Sequence, residues 1–327
     1  MQTPPHTALA VEAVDVTKRY GDLVAVDHLS LSVAPGEVYG ILGPNGAGKT
    51  TFLRMLFGLI RPDSGTVRVF GRTWADSGVG VLDGVAGFIE SPRFYPYLTG
   101  RQNLEGLALL DGGDRGSRSR RIEGVLDVVD LAGREGDKVA GYSYGMRQRL
   151  GVAASLLRDP RLLVLDEPAN GLDPGGIRDM RALVTRLADS GLTVLLSSHH
   201  MDEVEEICDN VTIMARGQVA FHGSIGDLRA MAPDPGHLLS TSDDALAVAL
   251  AREQHPDIAV ETDPEGGLVA IGSRERLSAY VADLVRADLE LRQFTPTQTP
   301  LEALFFMLTD TRTDTRTGTR SAKGAGR

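Results

Sequence analysis

One octapeptide combines glycines, a lysine and a threonine at the spacing of a phosphate-binding loop. Residues 43–50 are Gly-Pro-Asn-Gly-Ala-Gly-Lys-Thr, which fits the pattern G-x-x-x-x-G-K-[ST] at every required position. The glycines let the backbone curl so that consecutive N–H groups point inward, and a following helix adds its positive dipole end. Lys49 brings a cation to the outer phosphates, and the Thr50 hydroxyl is placed to bind Mg²⁺. The pattern predicts a nucleoside triphosphate site.

The flanks of this loop agree with that interpretation. Val38–Leu42 predicts a short buried strand, and residues 51–56 predict the first turns of a helix. The alternative is a glycine-rich turn that merely begins a helix. Strand, loop and helix in this order favour the phosphate site over that alternative.

Two adjacent carboxylates follow a second apolar run. Residues 162–165 are Leu-Leu-Val-Leu, and Asp166 and Glu167 come directly after them. In an open α/β sheet the carboxyl end of a strand faces the ligand crevice. Asp166 is then placed to hold Mg²⁺ or its water, and Glu167 to accept a proton from an attacking water. An acidic strand end that caps a helix is the alternative, and it is weak behind a matched phosphate loop.

A second anion socket is predicted at residues 142–146, Tyr-Ser-Tyr-Gly-Met, just before a helix. Ser143 is expected to cap that helix, and Gly145 leaves backbone N–H groups exposed. One triphosphate rarely needs two sockets unless the second serves a neighbouring molecule.

Tyr20, in a predicted turn at residues 18–21, is either an adenine-stacking aromatic or a half-buried surface tyrosine.

The composition bounds the class of protein. The chain has 327 residues, 42% of them hydrophobic and 24% charged, as expected of a globular protein with about two domains. The net charge of −10 disfavours a broad nucleic-acid surface. Cys208 is the single cysteine, which excludes an intrachain disulfide and fits a reducing compartment. The sequence has no run of about 18 apolar residues, so another chain would have to supply any membrane span.

The order of predicted elements divides the chain. Strands and helices alternate over residues 8–232, except that residues 91–158 are mainly helical around a glycine- and arginine-rich break at 112–121. The strand before this helical lobe is predicted to run from Val85 to Glu90. We therefore expect an α/β nucleotide-binding domain with an inserted helical lobe.

A second, smaller domain is predicted after a proline-containing linker. Residues 237–309 predict strands and helices in the order βαββαβ, a small α+β domain, and then a final helix at 299–308. Residues 310–327 lack the apolar side chains that a core requires, so we predict a disordered tail.

Five ordered motifs resemble the ATPase subunit of an ABC (ATP-binding cassette) transporter, a P-loop NTPase. They are the phosphate loop, residues 142–146 against the family signature L-S-G-G-Q, the Asp166–Glu167 pair, residues 170–174 against the D-loop, and residues 197–199 against the switch-histidine segment. Residues 89–92 and 142–146, with the C-terminal domain, are similar to the bacitracin- and lantibiotic-type exporter ATPases.

The resemblance implies a site built from two subunits. One subunit holds ATP, and Ser143 and Gly145 of the other close over its γ-phosphate. Glu167 is then the general base, and His199 contacts the γ-phosphate. The residues expected to bind the nucleotide are Tyr20, Gly43, Pro44, Asn45, Gly46, Ala47, Gly48, Lys49, Thr50, Thr51, Ser143 and Gly145. The residues expected to bind Mg²⁺ are Thr50, Glu90 and Asp166.

Two residues depart from the family pattern. Glu90 stands where the family usually has a glutamine that reaches Mg²⁺ and the attacking water. A carboxylate binds Mg²⁺ more strongly than an amide and adds a third negative charge near Asp166 and Glu167. Tyr144 stands where the family usually has a small residue.

The resemblance also implies partners and a location. It implies a homodimer or a paired cassette subunit, and a separate transmembrane permease at the cytoplasmic face of the membrane. Nucleic acid is not expected as a partner. Residues 94–98, Phe-Tyr-Pro-Tyr-Leu, are either an aromatic contact for the permease or packing between the lobes.

The leading functional prediction is ATP hydrolysis that powers export of a drug, an antibiotic peptide or a similar amphiphile. The main alternative is an ABC ATPase that acts on ribosomes or nucleic acid without a permease. A catalytically inactive binding module is disfavoured because Lys49, Asp166, Glu167 and His199 are all present.

Overall fold

The computed structural model describes residues 8–111, 114–234, 236–262 and 266–309. The chain divides into two compact units, Met1–Ile225 and Gly226–Arg327. The disordered tail predicted at 310–327 lies outside the described residues, as does Pro235 of the predicted linker. The predicted domain limits, 8–232, 91–158 and 237–309, stay predictions.

The first unit alternates strands and helices. Its strands are β1 (Val11–Tyr20), β2 (Leu23–Val33), β3 (Val38–Leu42), β4 (Ser64–Val69), β5 (Arg72–Thr73), β6 (Val85–Phe88), β7 (Leu162–Asp166), β8 (Thr193–Ser198), β9 (Asn210–Ala215) and β10 (Gln218–Ser224). Its helices are α1 (Lys49–Leu56), α2 (Trp74–Ser77), α3 (Gly100–Leu110), α4 (Arg115–Val128), α5 (Tyr144–Leu156), α6 (Pro174–Asp189) and α7 (Met201–Ile207). A further helix, α8 (Ile225–Ala230), begins where the two units meet in the sequence.

A six-stranded sheet places the chemistry-bearing segments at one edge. Its strand order is β10-β9-β3-β8-β7-β6, and β9, β3, β8, β7 and β6 run parallel to one another. The carboxyl ends of parallel strands meet at the same edge of a sheet, where ligands of such folds bind. The phosphate loop after β3, the carboxylates at the end of β7 and the histidine after β8 are therefore neighbours.

The helix that follows the phosphate loop is held in the main core. A second sheet, of order β2-β1-β4-β5, is antiparallel. Phe52, Leu53 and Leu56 of α1 are buried among strand residues of both sheets. Trp74 packs over Gly58 just beyond the end of α1, and its indole Nε1 donates to the Leu56 carbonyl at 3.2 Å. Burial of this apolar face fixes the direction in which α1 leaves the loop.

Two predicted boundaries in the first unit are wrong. The β6 strand ends at Phe88, not Glu90, because Glu90 has a left-handed φ of 65° that a strand cannot contain. Tyr20 is the last residue of β1, where it pairs with Leu23, so the turn begins at Gly21.

The predicted break in the helical lobe, at residues 112–121, is also wrong from residue 115 onward. Helix α4 begins at Arg115, and the Asp114 carboxylate caps it by accepting hydrogen bonds from the N–H groups of Gly116 and Ser117. Arginine is a good helix former, so this segment continues as helix once it is capped. Residues 112 and 113 lie outside the described residues.

The second unit confirms the predicted order. Its elements are β11 (Gly236–Thr241), α9 (Asp244–Gln254), β12 (Ala259–Thr262), β13 (Leu268–Ile271), α10 (Arg274–Arg286), β14 (Leu291–Pro296) and α11 (Pro300–Thr309). The four strands form an antiparallel sheet of order β12-β13-β11-β14. Leu277, Tyr280 and Leu284 of α10 pack in its core. This is the split βαβ arrangement.

Within the described ranges, every helix is too short or too polar to cross a lipid bilayer.

Candidate active site

The phosphate loop has the backbone that its glycines permit. Gly46 and Gly48 have φ angles of 82° and 107°, in the left-handed region that other residues avoid. At Gly43 the constraint is space, because a Cβ would lie 2.4 Å from the Met214 carbonyl oxygen. The Ala47 N–H donates to the Pro44 carbonyl at 3.1 Å and closes the turn. Asn45 lies within this turn, and Thr51 follows it in α1.

Lys49 is a buried cation in the middle of this loop. Its side chain is 4% exposed. Nζ donates to the carbonyls of Gly43, at 2.7 Å, and Pro44, at 3.3 Å, and lies 3.2 Å from Glu167 Oε1. A buried charge requires a partner, and Glu167 is the counter-charge here.

Glu167 lies between two basic side chains. Its Oε1 faces Lys49, and its Oε2 lies 3.3 Å from His199 Nδ1 and accepts from Asn170 Nδ2 at 3.0 Å. The Glu167 N–H donates to Ser197 Oγ at 3.0 Å, which supports a backbone φ of 48°. The structure therefore brings together the predicted base and the predicted switch histidine.

Asp166 is buried beside two hydroxyl groups. It is 5% exposed, and Thr50 Oγ1 donates to its Oδ2 at 3.0 Å and its Oδ1 at 3.3 Å. Ser197 Oγ donates to Oδ1 at 2.5 Å. A carboxylate and a hydroxyl are hard oxygen donors, the type that Mg²⁺ takes. Thr50 and Asp166 thus fit the predicted metal site.

Glu90 pairs with a residue of the phosphate-loop helix. Its Oε1 accepts from Arg54 Nη2 of α1 at 2.6 Å, and its side chain is 61% exposed. Among the described contacts, none joins Glu90 to Asp166 or Glu167. The metal role of Glu90 stays a prediction, and the structure shows its partner to be Arg54.

The second predicted socket begins a helix, as the sequence indicates. Ser143 Oγ accepts from the Met146 N–H at 3.2 Å and caps α5. The side chain of Tyr144 turns back into its own chain, where its hydroxyl lies 2.8 Å from Ser91 Oγ. In the described part of the chain no hydrogen bond connects Ser143 or Gly145 to residues 43–51.

Tyr20 is half exposed and has a cation beside its ring. Lys18 Nζ lies 5.6 Å from the ring centroid. No described contact joins Tyr20 to the phosphate loop, so adenine stacking stays a prediction.

Sequence reasoning missed three supporting residues: Ser197, Asn170 and Arg54. Ser197 and Asn170 belong to segments that the motifs include. The bonds of Ser197 to Asp166 and Glu167 depend on the register that places Ser197 opposite Asp166 in β7 and β8, whereas Asn170 lies only three residues after Glu167. Arg54 lies in α1, one helical turn beyond Thr50. Because residues four apart share one face of a helix, its spacing from Thr50 could have indicated a role near the site.

The chain is similar to transport ATP-binding proteins. A family model described as ABC transporter matches residues 26–170. The bacitracin transport ATP-binding protein BcrA of Bacillus licheniformis is 37% identical, over 91% of this chain and 96% of that protein. The daunorubicin/doxorubicin resistance ATP-binding protein DrrA of Streptomyces peucetius is 34% identical, over 94% of each chain. A solved ATP-binding subunit of an ABC transporter is 29% identical, with a TM-score of 0.60, over 68% of this chain and 92% of that one.

These similarities cover both the active site and the second unit. The matched family span includes the phosphate loop, Ser143, Asp166 and Glu167. The relatives extend over nearly the whole chain, and their roles in transport and resistance do not favour the alternative that acts on ribosomes or nucleic acid. The predicted P-loop NTPase fold and ATPase activity are confirmed, and this chain belongs to the ATP-binding proteins of the ABC transporter family.

Proposed function

We propose that this chain hydrolyses ATP at a site completed by a second cassette subunit and thereby drives a separate membrane permease. The observation that carries the proposal is the position of Glu167 between Lys49 and His199. The cargo is a drug, an antibiotic peptide or a similar amphiphile, moved outward. Two relatives support this direction, since one is named for bacitracin transport and the other for daunorubicin/doxorubicin resistance.

Lys49 and Glu167 separate when the substrate binds. Lys49 now shares its charge between two neutral carbonyls and Glu167. The phosphate oxygens of ATP carry negative charge, so they compete with the carbonyls and with the Glu167 carboxylate for the ammonium group. Glu167 Oε1 is then available to accept a proton from the attacking water, while Asn170 and His199 hold Oε2 in place.

Thr50 and Asp166 are the residues that would hold Mg²⁺, which supplies charge neutralisation at the phosphates. Their donor oxygens already lie within hydrogen-bond distance of each other. Ser197 orients the Asp166 carboxylate by donating to Oδ1. Hydrogen bonds of this kind orient a metal-binding carboxylate before the ion arrives.

Ser143 and Gly145 are proposed to serve the ATP of a neighbouring subunit. The N-terminus of α5 has its positive dipole end and free N–H groups, which suit an anion. A head-to-tail pair of subunits makes two equivalent sites, with two-fold symmetry if both are copies of this chain.

The permease is proposed to dock on the aromatic segment that follows Glu90. A groove of about 570 Å³ is lined by residues of this segment and of α3, including Phe94, Leu98 and Leu107. Leu110, which also lines the groove, is 83% exposed, and Tyr97 of the aromatic segment is 66% exposed. Exposed aromatic and apolar side chains of this kind are enriched at protein interfaces. Docking there would place the chain at the cytoplasmic face of the membrane without a span of its own.

A pull-down from gently solubilised membranes tests the proposal. The tagged chain should recover a protein with several membrane spans, identified by mass spectrometry. Phe94→Ala and Tyr97→Ala should reduce that recovery and uncouple ATPase activity from transport, because they remove the aromatic contact. Leu59→Ala and Val79→Ala change other exposed apolar side chains and serve as matched controls.

Three results would contradict the proposal. One is unchanged recovery and transport in the Phe94 and Tyr97 variants. A second is equal loss in the Leu59 and Val79 controls. The third is recovery of ribosomal or DNA-associated proteins without a membrane protein, which would favour the alternative function.

A further inference from the structure

The Tyr144 side chain joins three segments of the first unit. Its hydroxyl lies 2.8 Å from Ser91 Oγ, in the segment after β6. The same hydroxyl accepts from Gln148 Nε2, one turn along α5, at 3.1 Å. A Cβ placed on Gly171, in the loop after β7, would lie 3.6 Å from Tyr144 Cε1, so the ring lies beside that loop.

The hydroxyl accepts a hydrogen bond from a buried amide. Gln148 is 2% exposed, and its Oε1 has no hydrogen-bond partner among the described residues. Among the described residues, this amide therefore has a hydrogen bond through its Nε2 to the Tyr144 hydroxyl and none through its Oε1. An unsatisfied buried polar group is costly, so Tyr144 is held in this orientation.

The ring has a second restraint from α5 itself. The Arg147 guanidinium lies 5.8 Å from the Tyr144 ring centroid, and Arg147 Nη1 donates to the Tyr142 carbonyl at 2.6 Å. A cation over an aromatic face is attracted by the ring quadrupole. The ring thus has both Arg147 and the Gly171 loop as neighbours.

Each of the three segments carries a residue of the proposed ATP site. Ser91 follows Glu90, which pairs with Arg54 of the phosphate-loop helix. Tyr144 itself separates Ser143 from Gly145, the two residues assigned to the neighbour's γ-phosphate. Gly171 follows Asn170, which donates to Oε2 of the proposed base Glu167 at 3.0 Å.

We propose that the Tyr144 hydroxyl is a positioning group that fixes the Ser143–Gly145 socket relative to the segment after β6. The proposal rests on the two-subunit ATP site proposed above. The bulky residue does not fill the socket, because its side chain points back to Ser91. It instead sets the direction in which α5 presents its N–H groups to the partner's ATP.

ATP-dependent dimerisation of the full chain tests this role. All variants carry Glu167→Gln, so that hydrolysis does not disperse the dimer. Tyr144→Phe keeps the ring but removes both hydrogen bonds, and we expect it to raise the ATP concentration for half-maximal dimer about tenfold. Ser91→Ala removes one bond and should raise it about threefold. The double variant should match Tyr144→Phe, since both changes remove the same Ser91 bond.

Nucleotide affinity separates positioning from general damage. We expect ATP to bind the dilute monomer with affinity within about twofold of the parent in every variant, because Lys49 is untouched. Tyr280→Phe is the matched control in the second unit, where the hydroxyl donates to the Ala247 carbonyl at 2.8 Å. It loses a comparable hydrogen bond but should dimerise as the parent does.

The outcomes are distinct. An unchanged ATP requirement in Tyr144→Phe and Ser91→Ala overturns the positioning role and leaves the two-subunit site intact. A parallel loss of monomer affinity and thermal stability also overturns it, because that indicates a structural role. If the Glu167→Gln parent itself fails to dimerise with ATP and magnesium chloride, both this inference and the proposed two-subunit site are overturned.

Discussion

Glu167 shows how one side chain can serve two opposite tasks. It neutralises the buried Lys49, and in the proposed reaction it accepts a proton. The first task stabilises the phosphate loop, because an unpaired ammonium at 4% exposure would be costly. The second requires Lys49 to move away. Asn170 and His199 contact the other carboxylate oxygen and preserve its orientation through this exchange.

The Glu167→Gln substitution should therefore separate binding from turnover. An amide cannot accept the proton, so we expect the rate of phosphate release to fall by roughly 10²–10⁴-fold. ATP affinity should persist because the loop and Lys49 remain. Steady-state phosphate release and equilibrium nucleotide binding measure the two effects.

Glu253→Gln, on the exposed side of α9, is the matched control and should leave both quantities unchanged. Turnover at the parent rate in Glu167→Gln would remove Glu167 as the base.

At the scale of elements, α5 and the segment after β6 are in close contact. A Cβ placed on Gly151 would lie 2.3 Å from Pro92 Cγ and 3.3 Å from Phe88 Cε1. This glycine lies in the interior of α5, where glycine normally weakens a helix. The close approach explains its presence, because any larger residue would push Pro92, and with it Glu90 and Ser91, away from the helix.

Gly151→Ala should consequently destabilise the first unit by about 1–3 kcal/mol through overpacking. The same substitution at Gly124 of α4, where a Cβ would meet nothing within 4 Å, should stabilise the helix by roughly 0.5–1 kcal/mol. Urea unfolding of both variants measures the difference. Equal effects of the same sign would contradict the close contact.

The elements themselves were largely predictable, and their contacts were not. Apolar runs and turn residues predicted the strands around the phosphate loop and the βαββαβ order of the second unit. The pattern failed at Arg115, because the glycine- and arginine-rich composition favoured a break although Asp114 caps a helix there. It also failed at Glu90, because a left-handed backbone ends the strand early.

In the site, the motifs predicted the residue types that meet but not every partner. Lys49, Asp166, Glu167 and His199 come together as the motifs and the family resemblance imply. The Arg54–Glu90 and Ser91–Tyr144 pairs arise between segments 36 and 53 residues apart. Such contacts depend on how helices lie against the sheet, which a local pattern does not specify.

At the scale of the whole molecule, the single cysteine lies deep in the first unit. Cys208 is buried, and its Sγ would lie 3.0 Å from a Cβ on Gly40 of β3. Burial raises the pKa of the Cys208 thiol well above its ordinary value. Since the folded thiol has a higher pKa than the unfolded thiol, ionisation favours the unfolded state. The fold therefore keeps its full stability with respect to this thiol below a pH of about 8.5, the pKa of an unfolded cysteine. As the pH rises beyond that value, the unfolded thiol ionises and stability is lost.

Cys208 should therefore react with a thiol reagent such as dithionitrobenzoate only when the unit opens. At neutral pH we expect slow labelling of the native protein, and slower labelling with ATP, because a ligand of the native state suppresses opening. In denaturing urea the thiol should react at once. Cys208→Ser gives the blank, and rapid stoichiometric labelling of the native protein would contradict the buried position.

Trp74 gives the first unit a built-in optical reporter. It is the single tryptophan of the chain, and its indole is hydrogen-bonded to the last residue of α1. Indole emission therefore originates at one end of the helix whose other end begins in the phosphate loop. Ligand-dependent changes in that helix can be followed by intrinsic fluorescence, without a dye and without altering any residue of the active site.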